Sequence, residues 1–380
     1  MLYSNLIDLF YTNYINYLKK NYYQMKLKKF NIGIFAFNAS SGVTLTKSKK
    51  RWDPNWEKVK NIAIYADKKK FDFLLPIARW NDWKGITRPH KNTFETFSLM
   101  SSLSAVTKKI NLFSTIHTAF LHPVFAARAA TTISNISKGR YGVNIVCGWN
   151  ESEFQMFDVK KNISSDNRYL YGEEWLKIFN KLINKKSDKI SFKGKFFTVK
   201  NAQCFPKLYE EKNITKISAA FSEKGRIFAS KNFDILLTMF SKIENLKKNN
   251  SNIKLNALKK GKKIKIFSNI HIVCKKTRSE ASDFYNQYSK TKQDTLAVNS
   301  FINNLEWSKK VVLASYLRQV KQQISGSLGG YTIIGTKNDV IEQLNEIYRS
   351  KCDGVALTFF DYKKDLEFFG KNILSSVKKF

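Results

Sequence analysis

Cysteine and long apolar runs are scarce in this 380-residue sequence, and each shortage excludes some classes of protein. The four cysteines, Cys147, Cys204, Cys274 and Cys352, lie far apart and form no C-x-x-C pair. Their spacing argues against a disulfide framework or a zinc site and favours a reducing, cytoplasmic compartment. No apolar run reaches the roughly 18 residues of a membrane span, and Asn, Asp and Lys interrupt residues 1–21. We therefore expect neither a membrane span nor a signal peptide.

Several catalytic signatures are missing as well. The sequence contains no Gly-x-Ser-x-Gly, Walker or G-x-G-x-x-G motif, so hydrolase and nucleotide-kinase functions lose support. His117 and His122 are five residues apart and, together with His90, raise the question of a metal. No metal site is predicted, because H-x-x-x-H and H-E-x-x-H spacings are missing and no acidic partner lies nearby. A catalytic histidine remains an open alternative.

Lysine is present in excess. The formal net charge is +36, from 66 basic and 30 acidic residues, and only ten of the basic residues are Arg. Because the lysines are spread along the chain, we predict a solvated basic surface and no nucleic-acid partner, with polyanion binding as the alternative. Arg79, Arg140, Arg168 and Arg226 stand beside the motifs described below. These positions are predicted to need the planar donor fork that Lys lacks.

Apolar segments alternate between strand and helix patterns after a Tyr-, Asn- and Lys-rich extension, residues 1–24, which we expect to lie outside the fold. Eight strands are predicted, at Ile32–Phe37, Phe71–Ile77, Ile110–Ile116, Tyr141–Val146, Lys216–Phe221, Phe233–Met239, Lys263–Val273 and Gly354–Phe359. Helices are predicted at Asn55–Lys69, Phe94–Lys108, Val124–Ser137, Arg168–Asn184, Glu223–Lys231, Ser279–Lys292, Phe301–Ser325, Asn338–Lys351 and Lys363–Lys379.

Eight strand-then-helix units favour an α/β fold, a (β/α)8 TIM barrel with insertions, over a doubly wound sheet. We expect residues 25–380 to form one such domain. The alternating segment Ile190–Val199 turns through Lys-Gly and predicts a small hairpin between the fourth and fifth barrel strands. In a barrel of this kind the active site lies at the carboxyl ends of the strands.

The segment 139–149, Gly-Arg-Tyr-Gly-Val-Asn-Ile-Val-Cys-Gly-Trp, is the most informative one in the sequence. It places Asn144 inside a buried strand, where its amide needs a hydrogen-bond partner that a ligand can supply. Asn offers a donor and an acceptor, which suits the mixed edge of a heterocycle. Thr115, at the end of the preceding strand, is expected beside it, and Trp149 and Glu153 follow in the next turn. For Glu153 the alternatives are ligand binding, acid–base chemistry or an exposed helix-start carboxylate.

A second candidate site follows the fifth predicted strand. In Ala-Ala-Phe-Ser-Glu-Lys-Gly-Arg, residues 219–226, Ser222 opens a helix, where free backbone N–H groups and the helix dipole favour an anion such as a phosphate monoester. Ordinary helix capping by Ser222 is the alternative. Arg168 and Tyr169 open the helix after the fourth strand and are candidates for approaching the same anion. Cys147 is predicted to be a packing residue and not a nucleophile, because no His or Arg partner is evident nearby.

A family resemblance now joins these segments. The strand Ile-Gly-Ile-Phe-Ala-Phe, residues 32–37, and the run 130–149, Ala-Thr-Thr-Ile-Ser-Asn-Ile-Ser-Lys-Gly-Arg-Tyr-Gly-Val-Asn-Ile-Val-Cys-Gly-Trp, resemble the bacterial luciferase-like, flavin-dependent monooxygenases. The likeness covers about residues 31–200 and resumes at 217–237 and 335–379. Gly-Val-Ala-Leu-Thr-Phe-Phe-Asp-Tyr, residues 354–362, is most similar to the pyrimidine (uracil) monooxygenase branch, with dimethylsulfone and alkanesulfonate monooxygenases close.

The resemblance implies a luciferase-like barrel enzyme that uses O2 and reduced FMN supplied by an NAD(P)H-dependent flavin reductase. It would oxygenate a small molecule, most simply a pyrimidine such as uracil, through a flavin (hydro)peroxide. The positions that match the family's flavin contacts are Ala78, Arg79, Asn144, Glu153, Arg168, Tyr169 and Ser222. The positions expected to face the reacting edge are Thr115 and Asn144, with Trp149 closing the turn. Homodimers or homotetramers are usual in the family.

Three alternatives stay open at this point. The substrate could be a small organosulfur compound, namely dimethylsulfone or an alkanesulfonate. The barrel could bind flavin without turnover, or act as a basic polyanion binder. The cofactor could instead be a deazaflavin, which relatives of this fold use for hydride transfer.

Overall fold

Parallel strands closed into a barrel form the centre of the computed structural model. It describes residues 30–377 except 160–162, 164–166, 185, 187, 212, 241 and 305–313. The strands are β1 (Asn31–Phe35), β2 (Phe73–Leu75), β3 (Asn111–His117), β4 (Tyr141–Val146), β5 (Ile190–Lys193), β6 (Thr198–Ala202), β7 (Thr215–Ala219), β8 (Ile235–Thr238), β9 (Lys265–Cys274), β10 (Tyr331–Gly335) and β11 (Gly354–Phe359). The barrel order is β1-β2-β3-β4-β7-β8-β9-β11, and β11 pairs with β1 to close it. The predicted (β/α)8 TIM barrel is confirmed.

Helices surround this barrel. They are α1 (Trp56–Lys68), α2 (Thr96–Val106), α3 (Pro123–Ile136), α4 (Glu151–Met156), α5 (Arg168–Ile183), α6 (Glu223–Asn232), α7 (Leu246–Leu258), α8 (Arg278–Asn286), α9 (Thr295–Asn303), α10 (Ala314–Ser327), α11 (Lys337–Arg349), α12 (Lys364–Asn372) and α13 (Leu374–Val377). A π-helical turn, Gln287–Thr291, continues α8. Between β4 and β7, the strands β5 and β6 form an antiparallel hairpin outside the barrel.

The barrel interior is filled by side chains that alternate along the strands. Large aromatic residues such as Phe73, Phe113 and Phe267 meet there, and the Phe73 and Phe267 rings stack with centroids 5.3 Å apart. Gly142 makes room for this layer, because a Cβ at that position would lie 2.2 Å from the Phe113 ring. The larger core lies between the strands and the surrounding helices. Successive strand residues face opposite sides, so polar residues two positions beyond the interior layer point into the barrel mouth.

The amino ends of the strands are held by buried aspartates. Asp72 and Asp353 each stand just before or at the start of a strand and accept the backbone N–H of a neighbouring strand, from Ile32 and Ile266 respectively, both at 2.8 Å. Arg140 works at the same end of the barrel. Its guanidinium donates to carbonyls at the end of α2 and to Ile110 O at 2.9 Å. The planar donor fork predicted for Arg140 therefore stabilises the fold and lies away from the site.

The described residues of the insertion between β9 and β10, 275–304 and 314–330, cover part of the opposite, carboxyl end of the barrel. Leu45 N, in the loop that follows β1, donates to Ser325 O at 2.8 Å, and Phe301 packs edge-on against Trp83 with ring centroids 5.0 Å apart. Thr87 donates to Asp294 at 2.8 Å from both its backbone and its hydroxyl. The β9–β10 insertion therefore fixes the loops that leave β1 and β2.

The structure corrects several element boundaries. The single helix predicted at Phe301–Ser325 is wrong: α9 begins earlier, where Asp294 accepts from Ala297 N at 3.3 Å as its N-cap, and α10 is a separate helix. The final predicted helix is divided into α12 and α13. Helix α4, helix α7 and strand β10 were not predicted. Only three residues of α7 are buried, and β10 pairs only with the distal half of β9, so both carry weak sequence patterns.

The predicted extension, residues 1–24, lies outside the described residues. Among the residues that are described, no helix is both long and apolar enough to cross a membrane.

Candidate active site

A polar pair at the mouth of the barrel joins β3 to β4. Thr115 stands opposite Asn144 in the parallel register of these strands. The Thr115 hydroxyl donates to Pro76 O at 2.7 Å and accepts from Asn144 Nδ2 at 3.1 Å. Asn144 is 2% exposed, and its Oδ1 has no hydrogen-bond partner within the described part of the protein. The amide oxygen of Asn144 is thus a preset acceptor.

A buried ion pair lies at the ends of β2 and β4. Arg79 Nη1 is 3.4 Å from Glu153 Oε1, and the two side chains are 6% and 1% exposed. Trp80 N also donates to that oxygen, at 3.1 Å. Burial raises the pKa of Glu153, but Arg79, His117 and the Trp80 N–H together lower it further, leaving it below its ordinary value. Glu153 is therefore an ionised, buried partner of Arg79 and not an exposed helix-start carboxylate.

Aromatic rings enclose the guanidinium of that pair. Its carbon lies 4.8 Å from the ring centre of Trp149 and 5.2 Å from that of Trp83, and these two indoles stack with centroids 6.0 Å apart. Phe301 of the β9–β10 insertion packs edge-on against Trp149 at 5.8 Å. Arg79 Nε has no hydrogen-bond partner among the described residues and is buried. Trp149 therefore helps to hold Arg79 in a dry wall, with one donor left unused.

The second predicted site forms where α5 and α6 begin. Ser222 is the N-cap of α6, and its hydroxyl accepts from Gly225 N at 3.2 Å. The Tyr169 hydroxyl lies 3.1 Å from Ser222 Oγ, and the Arg168 guanidinium lies 5.2 Å from the Tyr169 ring centre. A Cβ on Gly225 would be 2.8 Å from the Tyr169 oxygen, so the glycine permits this approach. The structure brings the three predicted residues together beside a helix N-terminus.

A cleft opens at the mouth beside the polar pair. Its lining includes Ala78, Arg79, Trp80, Thr93, Phe94, Glu95, Thr96, Thr115, His117, Phe120 and Leu121. Glu95 is occupied as the N-cap of α2, since its carboxylate accepts from Phe97 N and Ser98 N at 2.8 and 2.7 Å. Phe120 stacks on Phe157 with centroids 4.5 Å apart, which gives the cleft a firm aromatic side.

Similar proteins show which family has this arrangement. A sequence profile described as luciferase-like monooxygenase matches residues 30–353. The chain belongs to the luciferase-like monooxygenase family. It is accordingly a flavin-dependent monooxygenase, which confirms the enzyme class that the resemblance implied.

Curated relatives of this luciferase-like monooxygenase include two pyrimidine monooxygenases, both named RutA. The protein from Acinetobacter baylyi is 29% identical over 350 residues, covering 90% of this chain and 93% of the relative. The protein from Caulobacter vibrioides is 26% identical over 359 residues, covering 91% and 98%. The resemblance to the pyrimidine branch is therefore confirmed at the level of sequence similarity.

Solved structures share the fold. Riboflavin lyase (RcaE) superposes with a TM-score of 0.81 at 18% identity, covering 92% of each chain. Long-chain alkane monooxygenase (LadA) gives 0.79 at 20% identity, covering 93% of this chain and 92% of that one. DmoA from Hyphomicrobium sulfonivorans gives 0.79 at 16% identity, covering 92% and 88%. At these identities the likeness establishes the barrel architecture.

Two histidines of this luciferase-like monooxygenase have structural surroundings that the sequence alone does not show. His90 is buried, and its Nδ1 accepts from Trp83 Nε1 at 3.1 Å while its Nε2 lies 2.7 Å from Gly42 O, so it orients the Trp83 indole. His117 lines the cleft, which the alternation from Thr115 could have revealed. No group of metal-ligating residues was found among the described residues. Burial raises the pKa of the Cys147 thiol to about 12, in keeping with a packing role.

Proposed function

We propose that this flavin-dependent monooxygenase uses reduced FMN and O2 to oxygenate a neutral pyrimidine such as uracil. A separate flavin reductase would supply the reduced cofactor. The names of the curated relatives support the substrate class, and the charge of the cleft supports a neutral substrate. Thr115, Asn144 and Trp149 would form the part of the site nearest the reaction.

The chain offers a fitting place for the phosphate end of FMN. At the start of α6 the backbone N–H groups are oriented by the Ser222 cap, and Tyr169 and Arg168 stand beside them. A helix N-terminus with a hydroxyl and a guanidinium is a set of donors suited to a phosphate monoester. We expect these residues to bind the phosphate.

Two buried atoms that have no hydrogen-bond partner among the described residues suit the ring end of FMN. Asn144 Oδ1 is an acceptor and Arg79 Nε is a donor, and both are buried near the mouth. Burying such atoms unpaired costs about 1–3 kcal/mol each, a cost that a flavin ring edge with mixed donors and acceptors would offset. When bound, reduced flavin supplies the electrons and the reaction with O2. The protein's own part is to bind, orient and keep the site dry.

Electrostatics favour a neutral substrate over a sulfonate. The only charged side chains among the described residues that line the cleft are Arg79 and Glu95. The Arg79 charge is already balanced by Glu153 at 3.4 Å, and Glu95 adds a negative charge. A sulfonate entering this cleft would thus meet no uncompensated cation from these residues and would lose its hydration without compensation. This absence is the single observation that separates the pyrimidine proposal from the alkanesulfonate alternative.

The test combines binding with turnover. Calorimetry of the purified protein should show FMN binding, and a reductase-coupled reaction under 18O2 should place one labelled oxygen in uracil or thymine, detected by mass spectrometry. Dimethylsulfone and methanesulfonate serve as the organosulfur arms. Oxygenation of methanesulfonate with no pyrimidine product would contradict the proposed substrate. Failure to bind FMN while binding a deazaflavin would contradict the proposed cofactor.

Three further properties are proposed with this function. Residues 25–380 would form a single domain, and residues 1–24 would lie outside it. The enzyme would act in the cytoplasm, where its four free cysteines stay reduced. It would assemble as a homodimer or homotetramer, which sedimentation of the purified chain would test directly.

A further inference from the structure

The chain has four histidines, and one of them is buried with a ring nitrogen that has no hydrogen-bond partner among the described residues. His90 has both nitrogens paired, as described above, and so has His271, whose Nδ1 lies 2.9 Å from Thr358 Oγ1 and whose Nε2 lies 3.0 Å from the Tyr288 hydroxyl. His122 is exposed and serves as the N-cap of α3. His117 is 5% exposed, and its Nδ1 has no partner among the described residues. A buried polar atom left unpaired by the protein calls for another partner.

His117 is aimed at the cleft by the geometry of β3. It lies two residues beyond Thr115, so the alternation of the strand puts both side chains on the same inward face. Both residues line the cleft, together with Ala78. The ring of Phe120 packs edge-on against the imidazole with centroids 4.8 Å apart and restrains its orientation. A small molecule in the cleft beside Thr115 would therefore lie within the reach of a fixed imidazole.

Two other unpaired atoms near the mouth are already assigned under the proposed function. Asn144 Oδ1 and Arg79 Nε belong to residues that would face the flavin ring. His117 is not among the positions that match flavin contacts in the family. The remaining molecule that the cleft must hold is the substrate, and His117 is a residue of the cleft lining with one ring nitrogen still unpaired.

The imidazole is also in a suitable protonation state. Burial lowers the pKa of His117 to about 4, with Arg79 lowering it and Glu153 raising it. At neutral pH the ring is uncharged and offers one N–H donor and one lone-pair acceptor. An uncharged ring keeps the cleft free of added positive charge, in keeping with a neutral substrate.

We infer that His117 binds the substrate, hydrogen-bonding through its unpaired ring nitrogen to the amide edge of a neutral, planar ring that carries N–H and C=O groups side by side. This inference rests on the proposed function, because it takes the cleft beside the flavin site as the substrate pocket. It adds a residue that fixes which edge of the ring is presented. Substrates that lack such an edge lose this contact.

The test compares matched variants of two neighbouring histidines in the FMN-loaded, oxidised protein. His117→Phe removes the hydrogen bond and keeps a flat ring, whereas His117→Asn keeps a donor and an acceptor. His122→Asn is the control, because Asn is also a good N-cap. Calorimetry should show uracil binding weakened about tenfold by H117F, and changed less than about threefold by H117N and H122N. FMN affinity should stay within about threefold in all three variants.

Nitrogen-15 NMR of the imidazoles gives a second readout that does not depend on turnover. Saturating uracil should shift the His117 ring resonances and leave those of His122 in place. Unchanged uracil binding in H117F, or equal weakening of FMN and uracil, would overturn the inference, because equal weakening indicates a purely structural ring.

The same titration separates the two proposals. If dimethylsulfone binds instead of uracil and still shifts the His117 resonances, substrate contact by His117 stands, while the pyrimidine proposal and the preference of His117 for an amide edge both fail. If uracil binds without moving these resonances, the role of His117 fails while the pyrimidine proposal stands. If none of uracil, thymine, dimethylsulfone and methanesulfonate binds, both are contradicted.

Discussion

At the scale of single residues, the buried polar side chains of the barrel differ in how completely they are hydrogen-bonded. At the amino end of the barrel Asp72 accepts from a backbone N–H, and Arg140 donates to backbone carbonyls and to the Thr107 hydroxyl. At the carboxyl end Asn144 and His117 each keep one buried atom unpaired. Unpaired buried groups lower stability, and where such an atom belongs to a residue at the mouth of the barrel, a ligand can complete its hydrogen bonding.

Replacing Asn144 tests this contrast. In Asn144→Leu the unpaired oxygen disappears, so we expect the apo protein to unfold at an equal or higher urea concentration while FMN affinity falls about tenfold or more. Asn250 provides the control, because it is equally buried and its amide donates to Ser350 O at 3.1 Å. Asn250→Leu should lose stability and keep FMN affinity. Destabilisation of the apo protein by N144L would contradict the interpretation of Asn144.

The ion pair behind the cleft yields a prediction about stability. Glu153→Gln leaves the Arg79 charge buried and uncompensated, which should lower the free energy of unfolding by about 3–5 kcal/mol at pH 7. Urea denaturation measures this change. The double variant Arg79→Met with Glu153→Gln should recover much of the loss, because no charge is then left in the wall. A double variant no more stable than E153Q would show that the pair acts through packing instead.

At the scale of elements, the start of α6 is shaped by the contact between two helices. Tyr169 of α5 reaches Ser222 only because residue 225 is glycine, and the same glycine donates its N–H to the Ser222 hydroxyl. Glycine stabilises a helix less than alanine does, so its presence in the first turn of α6 is explained by the approach of Tyr169.

Gly225→Ala should therefore displace the Tyr169 hydroxyl and weaken FMN binding about tenfold, as measured by calorimetry. Gly370→Ala is a matched control on α12, because a Cβ there would lie 2.7 Å from the Tyr65 hydroxyl in a similar steric conflict. That variant should show a comparable loss of stability with unchanged FMN affinity. Equal FMN affinity in both variants would show that the Tyr169–Ser222 contact does not contribute to binding the phosphate.

Some helices and strands can be predicted from sequence patterns alone, and others cannot. The eight barrel strands and the start of α6 at Ser222 follow from β-branched runs and an N-cap signal, which are local properties. The extra strand β10 does not follow, because it depends on pairing with the distal part of β9. Such contacts join residues far apart in the sequence.

At the scale of the whole molecule, buried histidines connect the fold to pH. Burial lowers the pKa of His90 and of His117 to about 4 and that of His271 to about 3. Between these values and the unfolded value of about 6.5, the unfolded chain binds more protons than the folded one. Stability is therefore fully present above pH 6.5 and is lost as the pH falls.

We expect the free energy of unfolding to fall by about 1.4 kcal/mol per pH unit for each such histidine between pH 6 and pH 4.5. Urea denaturation at pH 7.5, 6.0 and 5.0 measures the slope. His122→Asn should change the slope only slightly, since His122 is exposed and partial burial lowers its pKa less than burial lowers that of the other three. A flat profile from pH 7 to pH 5 would show that the histidine rings do not stay buried and neutral in the folded protein.

The sequence by itself determined the class of the barrel, the order of its strands and the identity of the residues that meet at Ser222 and Asn144. These follow from periodicity, caps and motifs, all of which are short-range properties of the chain. Only the tertiary structure decided that Glu153 pairs with Arg79, that Trp149 packs against the Arg79 guanidinium and that Nδ1 of His117 is left without a hydrogen-bond partner among the described residues. The reason is physical: pairing, burial and pKa depend on which groups from distant strands share a low-dielectric space, and that depends on closing the barrel.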